Sequence, residues 1–327
     1  MSFPFNIYFA AFATPFLVAC LALPLWARWC ARAGLVDDPG HRKIHHQSMP
    51  LAGGLAVSTA LVVSLLAGYA ALRLDFLGAL SAAPLEHGFA RRAWQLAAIG
   101  GGAIGITILG ILDDRHELRP LPKFLGQTAV ALLVAWAGVR ITLFVGSPIF
   151  SFAVTVFWIL TLINAFNFMD NMNGLCAGTG TIAAFCFGTL AAVSGHYLVA
   201  AIAFLIAGSI GGFLPHNFPR ARAFLGDAGS HLVGYLLAVL GILPHFYSPG
   251  ASRKLAVLTP LLVLALPLVD LASVVVIRTL NGKPFYVGDT NHLSHRLLRA
   301  GCSKSTAVLL LWLAATLFGC LAVWLNH

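Results

Sequence analysis

The chain has 327 residues, of which 59% are hydrophobic and only 9% are charged, and its mean hydropathy is +0.87. Because soluble domains carry about 25% charged residues, this composition excludes an ordinary soluble protein. The formal net charge of +9 is spread over short clusters, and no basic run exceeds two residues, which argues against a nucleic-acid-binding surface.

Ten apolar runs come close to the ~20 residues that a helix needs to cross a bilayer core. They cover approximately residues 6–27, 53–73, 95–112, 124–139, 149–168, 176–194, 197–214, 231–247, 255–277 and 306–325. We therefore predict an all-α polytopic integral membrane protein with about ten transmembrane helices, formed by a single domain over residues 1–327. The first run is long enough to span the membrane and no positive segment precedes it, so no cleavable signal peptide is expected.

Basic residues predict the orientation of these helices. The loops after runs one, three, five, seven and nine hold fourteen of the 20 Lys and Arg residues, which places these loops in the cytoplasm and both termini outside. Eight of the 11 acidic residues and eight of the 12 histidines, His231 among them, lie in or near the same loops. Because acidic residues contribute little to orientation, this excess indicates a polar site on the cytoplasmic face.

The first cytoplasmic loop, residues 34–54, is rich in Gly and Pro and carries a basic cluster that includes Lys43. The Gly and Pro residues indicate a shaped turn, and the cluster could bind a phosphate. The alternative is an ordinary juxtamembrane basic patch. The residues of this loop leave both interpretations open.

Asp113 and Asp114 stand side by side at the end of the third apolar run. Two adjacent carboxylates repel each other at a membrane boundary, so one of them is expected to be protonated unless a cation or a basic partner compensates the charge. A divalent metal is the most economical explanation. The alternative is a solvated helix end on which the two aspartates have no further role. Lys123 follows at the start of the fourth run.

The third and fourth cytoplasmic loops add further polar residues at helix ends. Asn164, Asn167, Asp170 and Asn173 recur every three residues, so they share one face of a helix end. Such a stripe at the end of a membrane helix is costly unless it binds something. Asp227 lies between glycines just before the eighth run, where it can approach a ligand closely.

The fifth loop contains His292, His295 and Arg296, and with it the chain resembles a known family. The Asp-Asp pair, Asn-Ala-Phe-Asn-x-x-Asp, Gly-Asp-Ala-Gly-Ser and this His-rich loop follow one another as in the polyprenyl-phosphate N-acetylhexosamine-1-phosphate transferases. The resemblance runs from about Gly34 to Gly301. The fifth loop is closer to the WecA/TagO branch than to the peptidoglycan branch, MraY.

The resemblance implies a reaction and its partners. Family members transfer a sugar-1-phosphate, here expected to be GlcNAc-1-phosphate, from a UDP-N-acetylhexosamine to undecaprenyl phosphate and release UMP. The expected cofactor is Mg²⁺, which Mn²⁺ could replace, and the expected location is the bacterial inner membrane, with the site on the cytoplasmic face. The reaction would be the first membrane step of a cell-envelope polysaccharide, for example O-antigen or teichoic acid. A homodimer is one option, and the oligomeric state stays open.

The resemblance also assigns roles by position. Asp227 matches a metal ligand, and Asp113 and Asp114 match the catalytic pair, with Asp114 also placed at the metal. Which aspartate meets the metal, which one serves as base and whether a covalent intermediate forms stay open. The remaining assigned residues are catalytic His292 and His295 and substrate-binding Lys43, Lys123, Asn164, Asn167, Asp170, Asn173 and Arg296. Asp270 in the ninth run also matches a family feature, for which a structural role is expected.

Two positions depart from the family pattern. Asn173 stands where most bacterial members have a second Asp, at a position associated with the uracil edge, and Asn still offers a donor and an acceptor there. Ser294 replaces one of the usual histidines and cannot carry its charge. Neither change touches the Asp pair or Asp227, so an active enzyme is still expected.

Two alternatives remain at this stage. Within the family, the alternative is the phospho-MurNAc-pentapeptide transferase, which the absence of three consecutive histidines in the fifth loop disfavours. In a different class, polar-solute transporters also carry intramembrane polar stripes. Here few polar groups reach the expected midplane and no inverted repeat is visible, which disfavours a transporter.

Overall fold

The computed structural model describes residues 3–38, 48–74, 79–142, 145–243, 257–284 and 290–326. Within these ranges the chain is almost entirely helical. The helices are α1 Phe5–Ala33, α2 Gly53–Arg73, α3 Ala79–His116, α4 Pro120–Trp136, α5 Pro148–Met169, α6 Leu175–Val193, α7 Tyr197–Gly211, α8 Leu214–Asn217, α9 Gly226–Leu240, α10 Thr259–Val263, α11 Ala265–Leu280, α12 Leu293–Arg299 and α13 Lys304–Leu325. One short antiparallel pair joins β1 (Val36–Asp37) to β2 (Met49–Pro50).

The predicted class, an all-α polytopic membrane protein, is confirmed. Within the described ranges, seven helical segments are long and apolar enough to cross a membrane. They are Phe5–Ala33, Gly53–Arg73, Leu85–His116, Pro148–Met169, Leu175–Val193, Tyr197–Asn217 and Lys304–Leu325. The other predicted runs correspond to α4, to α9 and to α10 with α11, which are shorter or interrupted, so the count of ten is not confirmed.

The outer surface of the bundle is apolar. Large side chains such as Leu21, Ile104, Trp136, Phe157 and Leu313 are mostly exposed in the isolated chain. In water such a surface would drive association, whereas in a bilayer lipid tails cover it. The exposed positions therefore mark the lipid-facing sides of α1, α3, α4, α5 and α13.

Helix α9 forms the centre of the bundle. Every residue from Ala228 to Leu240 is buried, and the helix packs against α2, α3, α5 and α6. A helix that is mostly apolar and buried on every side belongs in the interior, which explains how a segment of only 15 residues can be the core element. The end of α9 that carries Asp227 is thereby held between the ends of its neighbours.

Glycines allow the neighbouring helices to approach the start of α9. A Cβ atom on Gly110 of α3 would collide with the backbone of Ala228, and one on Gly54 of α2 would collide with that of Gly229. The amides of Gly53 and Gly54 also donate hydrogen bonds to the carbonyls of Phe224 and Leu225, both at 2.9 Å. The start of α9 is therefore fixed to α2 and α3 by backbone contact.

Candidate active site

The polar residues of loops two, three and four meet at one end of the bundle. Helices α3 and α5 end there, and α4 and α9 begin there. The side chains that contact one another across these helix ends are Asp113, Asp114, Lys123, Asn167 and Asp227. Residues that are up to 114 positions apart in the sequence thus form one cluster.

Lys123 links two of the aspartates. Its Nζ lies 2.6 Å from Asp113 Oδ2 and 3.3 Å from Asp227 Oδ2, and its side chain is only 19% exposed. Asp113 is buried, and its other carboxylate oxygen accepts a hydrogen bond from the backbone amide of Leu118. The ammonium of Lys123 therefore lies between two carboxylates and compensates their repulsion.

Asp114 has a different environment from its neighbour. Its Oδ1 accepts a hydrogen bond from the backbone amide of Asp227 at 2.7 Å, and its Oδ2 accepts one from Ala228 at 3.1 Å. These amides belong to the first turn of α9, where helical N–H groups lack partners within the helix. A carboxylate there also interacts favourably with the positive end of the helix dipole. Asp114 thus caps α9 from the end of α3, and its predicted role at the metal stays a prediction.

The asparagines of α5 support the same cluster. Asn167 donates through Nδ2 to Asp227 Oδ1 at 2.6 Å and to Ser230 Oγ at 3.0 Å. Asn164, one turn earlier, donates to Gln127 Oε1 at 2.9 Å and so connects α5 to α4. These two residues of the predicted helical stripe therefore face α9 and α4, where Asn167 contacts Asp227 of the cluster and Asn164 holds Gln127.

The charges of the cluster shift the pKa values of its members. Burial raises the pKa of Asp227, but the charge of Lys123 and a hydrogen bond with Asp113 outweigh it, so the pKa is lowered. Burial lowers the pKa of Lys123, but the two carboxylates raise it above its usual value. Burial and the charges of Asp227 and Asp114 raise the pKa of Asp170 to about 8. The cluster thus favours negative charge on Asp227 and disfavours it on Asp170.

His231 joins two aspartates in a set of groups that could hold a metal ion. One ligand atom each from Asp113, Asp227 and His231 lies within 4.8 Å of the others. His231 is fully buried, and neither of its ring nitrogens has a hydrogen-bond partner. Carboxylates together with a free imidazole are a suitable donor set for a divalent cation, so these residues fit the metal that the sequence predicts. The sequence interpretation missed His231, although its position four residues after Asp227 places both on one helical face.

The fifth-loop residues lie next to the end of α5. His292 Nδ1 is 2.8 Å from Asp270 Oδ2, and the amide of Leu293 donates to Asp270 Oδ1 at 2.7 Å. The centroid of the Phe168 ring lies 6.1 Å from the centroid of the His292 ring. It lies 4.9 Å from Cζ of the buried Arg278. Asp270, for which a structural role was expected, therefore fixes His292 and the start of α12.

The other predicted site residues have varied positions. The ring of His295 lies 6.3 Å from that of His292, and Arg296 is exposed. Asn173 donates to the carbonyl of Pro219 at 3.3 Å. Ser294, the second departure from the family pattern, is buried and donates to Asn171 Oδ1 at 2.7 Å. Lys43 lies outside the described residues.

Comparison with known proteins places this site in context. Residues 96–245 match glycosyl transferase family 4, a segment that includes Asp113, Asp114, Lys123, Asp170 and Asp227. Over 324 residues the chain is 30% identical to the probable undecaprenyl-phosphate N-acetylglucosaminyl 1-phosphate transferase of Bacillus subtilis, covering 96% of this chain and 83% of that protein. It is 35% identical over 319 residues to the decaprenyl-phosphate N-acetylglucosaminephosphotransferase of Mycobacterium tuberculosis, covering 88% and 76%. It is 27% identical over 322 residues to the undecaprenyl-phosphate alpha-N-acetylglucosaminyl 1-phosphate transferase of Escherichia coli, covering 94% and 81%.

Proposed function

Because the chain belongs to glycosyl transferase family 4, among the polyprenyl-phosphate N-acetylhexosamine-1-phosphate transferases, we propose that it transfers GlcNAc-1-phosphate from UDP-GlcNAc to undecaprenyl phosphate and releases UMP. The observation that carries this proposal is the cluster of Asp113, Lys123 and Asp227 at the ends of apolar helices. A soluble nucleotide sugar and the head group of a membrane lipid can meet at such a place. The names of the relatives favour GlcNAc over MurNAc-pentapeptide.

The chemistry joins two anions. An oxygen of the lipid phosphate attacks the β-phosphorus of the nucleotide sugar, and the bond between that phosphorus and the bridging oxygen breaks, so that UMP leaves with the electron pair. The second pKa of a phosphate monoester is about 6, so the lipid phosphate is largely dianionic at pH 7 and needs no general base. The site must instead offset the repulsion between the substrates.

A divalent cation, Mg²⁺ in the first instance, would be held by Asp113, Asp227 and His231 and would supply positive charge to the pyrophosphate oxygens. Lys123 has three N–H donors and binds a phosphate oxygen once its carboxylate partners are engaged elsewhere. Asp114 holds the first turn of α9 and thereby positions Asp227. The α12 segment, which Asp270 fixes through His292, carries His295 and Arg296, which would bind the sugar and the pyrophosphate.

We place this site on the cytoplasmic face of a bacterial inner membrane. The positive charges of the loops support this orientation, and UDP-sugars are soluble cytoplasmic substrates. The product, a lipid-linked sugar pyrophosphate, would be the first membrane-bound intermediate of a cell-envelope polysaccharide.

The test is UMP release by purified protein in lipid nanodiscs that contain undecaprenyl phosphate, with Mg²⁺ and a panel of UDP-sugars. We expect UMP and a GlcNAc-labelled lipid from UDP-GlcNAc, and neither from UDP-MurNAc-pentapeptide. Asp227→Asn should lower turnover by orders of magnitude, whereas Glu86→Gln, the same chemical change at an exposed position, should leave it unchanged. Absence of UMP release with every UDP-N-acetylhexosamine tested would refute the proposed activity.

A further inference from the structure

We propose that His231 is a nitrogen ligand of the divalent cation, together with Asp113 and Asp227, and that it makes this site bind Mn²⁺ more tightly than Mg²⁺. The inference rests on the proposed function for the place of the cation. It goes further in assigning a histidine of the core helix to the metal and in giving the site a metal preference.

The burial of His231 is the first observation. The side chain is 0% exposed, and neither Nδ1 nor Nε2 has a hydrogen-bond partner. Buried polar groups in proteins nearly always have a partner, and one without a partner needs an explanation. The neighbouring Leu232 and Val233 are also buried, so this part of the helix accommodates apolar side chains. A buried histidine at this position is therefore best explained by a ligand that binds its ring nitrogens.

Geometry directs the imidazole toward the carboxylates. Asp227 and His231 are one turn apart on the same face of α9, and Asp113 joins them from the end of α3. The three ligand atoms lie within 4.8 Å of one another. At typical Mg²⁺ distances two ligands of one ion are about 3.0 Å apart when adjacent and about 4.2 Å apart when opposite, so side-chain movements of about an ångström would bring all three atoms to one ion.

The charges and the ligand type then define the preferred ion. Two carboxylates and a neutral imidazole together carry two negative charges, and a divalent cation that binds them displaces the ammonium of Lys123. Mg²⁺ strongly prefers oxygen ligands and water, whereas imidazole nitrogen is a good ligand for first-row transition metals. An all-oxygen site would suit Mg²⁺, and the nitrogen of His231 shifts the preference from Mg²⁺ toward first-row transition metals. Mn²⁺ binds most weakly in that series and shares with Mg²⁺ its preference for carboxylates.

The test measures metal binding without substrate. Protein in nanodiscs is titrated with Mn²⁺ and followed by electron paramagnetic resonance, and pulsed measurements on the Mn²⁺-loaded protein detect nitrogen bound to the metal. We expect a ¹⁴N coupling that changes when the protein is grown with ¹⁵N-histidine. Absence of any nitrogen coupling in the unmodified protein would overturn the proposal, whatever the variants do.

Two variants identify which histidine is responsible. His231→Leu removes the ligand from an apolar helix, and His231→Gln replaces nitrogen with a carbonyl oxygen that suits Mg²⁺ better. Loss of an outer-sphere partner already costs 10–100-fold in metal affinity, so both changes should weaken Mn²⁺ binding by at least about tenfold. For His231→Gln the loss should be smaller with Mg²⁺. His87→Gln is the matched control, because His87 is exposed and about 39 Å along α3 from Asp113.

These outcomes separate the inference from the proposed function. Nitrogen coupling that disappears in both His231 variants and persists in His87→Gln supports the inference even if no UDP-sugar is turned over. Conversely, Mg²⁺-dependent UMP release without nitrogen coupling would keep the proposed function and refute the role of His231. Coupling that survives both His231 substitutions would assign the nitrogen to another residue and also refute the inference.

Discussion

Replacing Lys123 with methionine should raise the affinity of the substrate-free protein for a divalent cation, while removing most of the transferase activity. The ammonium of Lys123 lies 2.6 Å from Asp113 Oδ2 and 3.3 Å from Asp227 Oδ2, so it competes with a metal for these carboxylates. Methionine is unbranched and fills a similar space without charge. The activity falls because the substrate phosphates lose a positively charged donor.

The size of the gain follows from these distances. At an effective dielectric constant of about 20, each pair attracts by roughly 5–6 kcal/mol before desolvation is counted. After desolvation is counted, a hydrogen bond to a charged group contributes a net free energy of about 1.5–3 kcal/mol. A cation that displaces Lys123 must supply this free energy. Without the lysine, Mn²⁺ should therefore bind roughly 10–100-fold more tightly.

The assay is a Mn²⁺ titration followed by electron paramagnetic resonance, with thermal unfolding in the presence of EDTA as a second measurement. Lys123→Arg keeps the charge and should keep the affinity of the unmodified protein. Lys304→Met makes the same change at an exposed position and should alter nothing. In EDTA, Lys123→Met should unfold at lower temperature, because two carboxylates lose their cation. If Lys123→Met binds Mn²⁺ no more tightly than Lys123→Arg, the two carboxylates do not share one cation site.

Three further changes test the surroundings of the cluster. Asp114→Asn leaves one acceptor for two backbone amides of α9, so it should destabilise the protein by about 1.5–3 kcal/mol in thermal unfolding and abolish most turnover. Gly110→Ala should displace the start of α9, cost about 1–3 kcal/mol and reduce turnover, whereas Gly100→Ala, where a Cβ meets nothing within 4 Å, should do neither. Burial and the charges of Asp227 and Asp114 raise the pKa of Asp170 to about 8. In EDTA the protonated carboxyl therefore contributes fully to stability below about pH 4, and this contribution is lost as pH rises from about 4 to 8. Asp170→Asn should therefore gain stability relative to the unmodified protein between pH 5 and pH 9, and a constant difference across this range would show that Asp170 does not titrate there.

Hydropathy alone predicted the fold class but not the helix count. Within the described residues every predicted run overlaps at least one helix, yet α9 has 15 residues and Leu264 interrupts the run that gives α10 and α11. An apolar run gives the same signal whether lipid or protein surrounds the helix. The central position of α9 depends on close approach by Gly54 and Gly110, which is a tertiary property that the run does not contain.

The cluster itself was partly visible in the sequence. The spacing of Asn164 and Asn167 predicted one shared face, and the structure gives both residues partners in neighbouring helices. His231 was visible only as one of several histidines near the predicted cytoplasmic face, although its separation of four residues from Asp227 was a usable signal. The pairing of Asp270 with His292 could not be predicted, because it joins two separate helices.

The different environments of Asp113 and Asp114 explain how two adjacent carboxylates can coexist here. Neighbouring residues on a helix are rotated by about 100°, so their side chains point to different partners. Both oxygens of Asp114 accept backbone amides of α9, which places this charge at a helix N-terminus. One oxygen of Asp113 accepts the amide of Leu118, and the other faces Lys123 within the cluster. The arrangement therefore favours Asp113 as the member of the pair that meets the cation, with Asp114 holding Asp227 in place beside it.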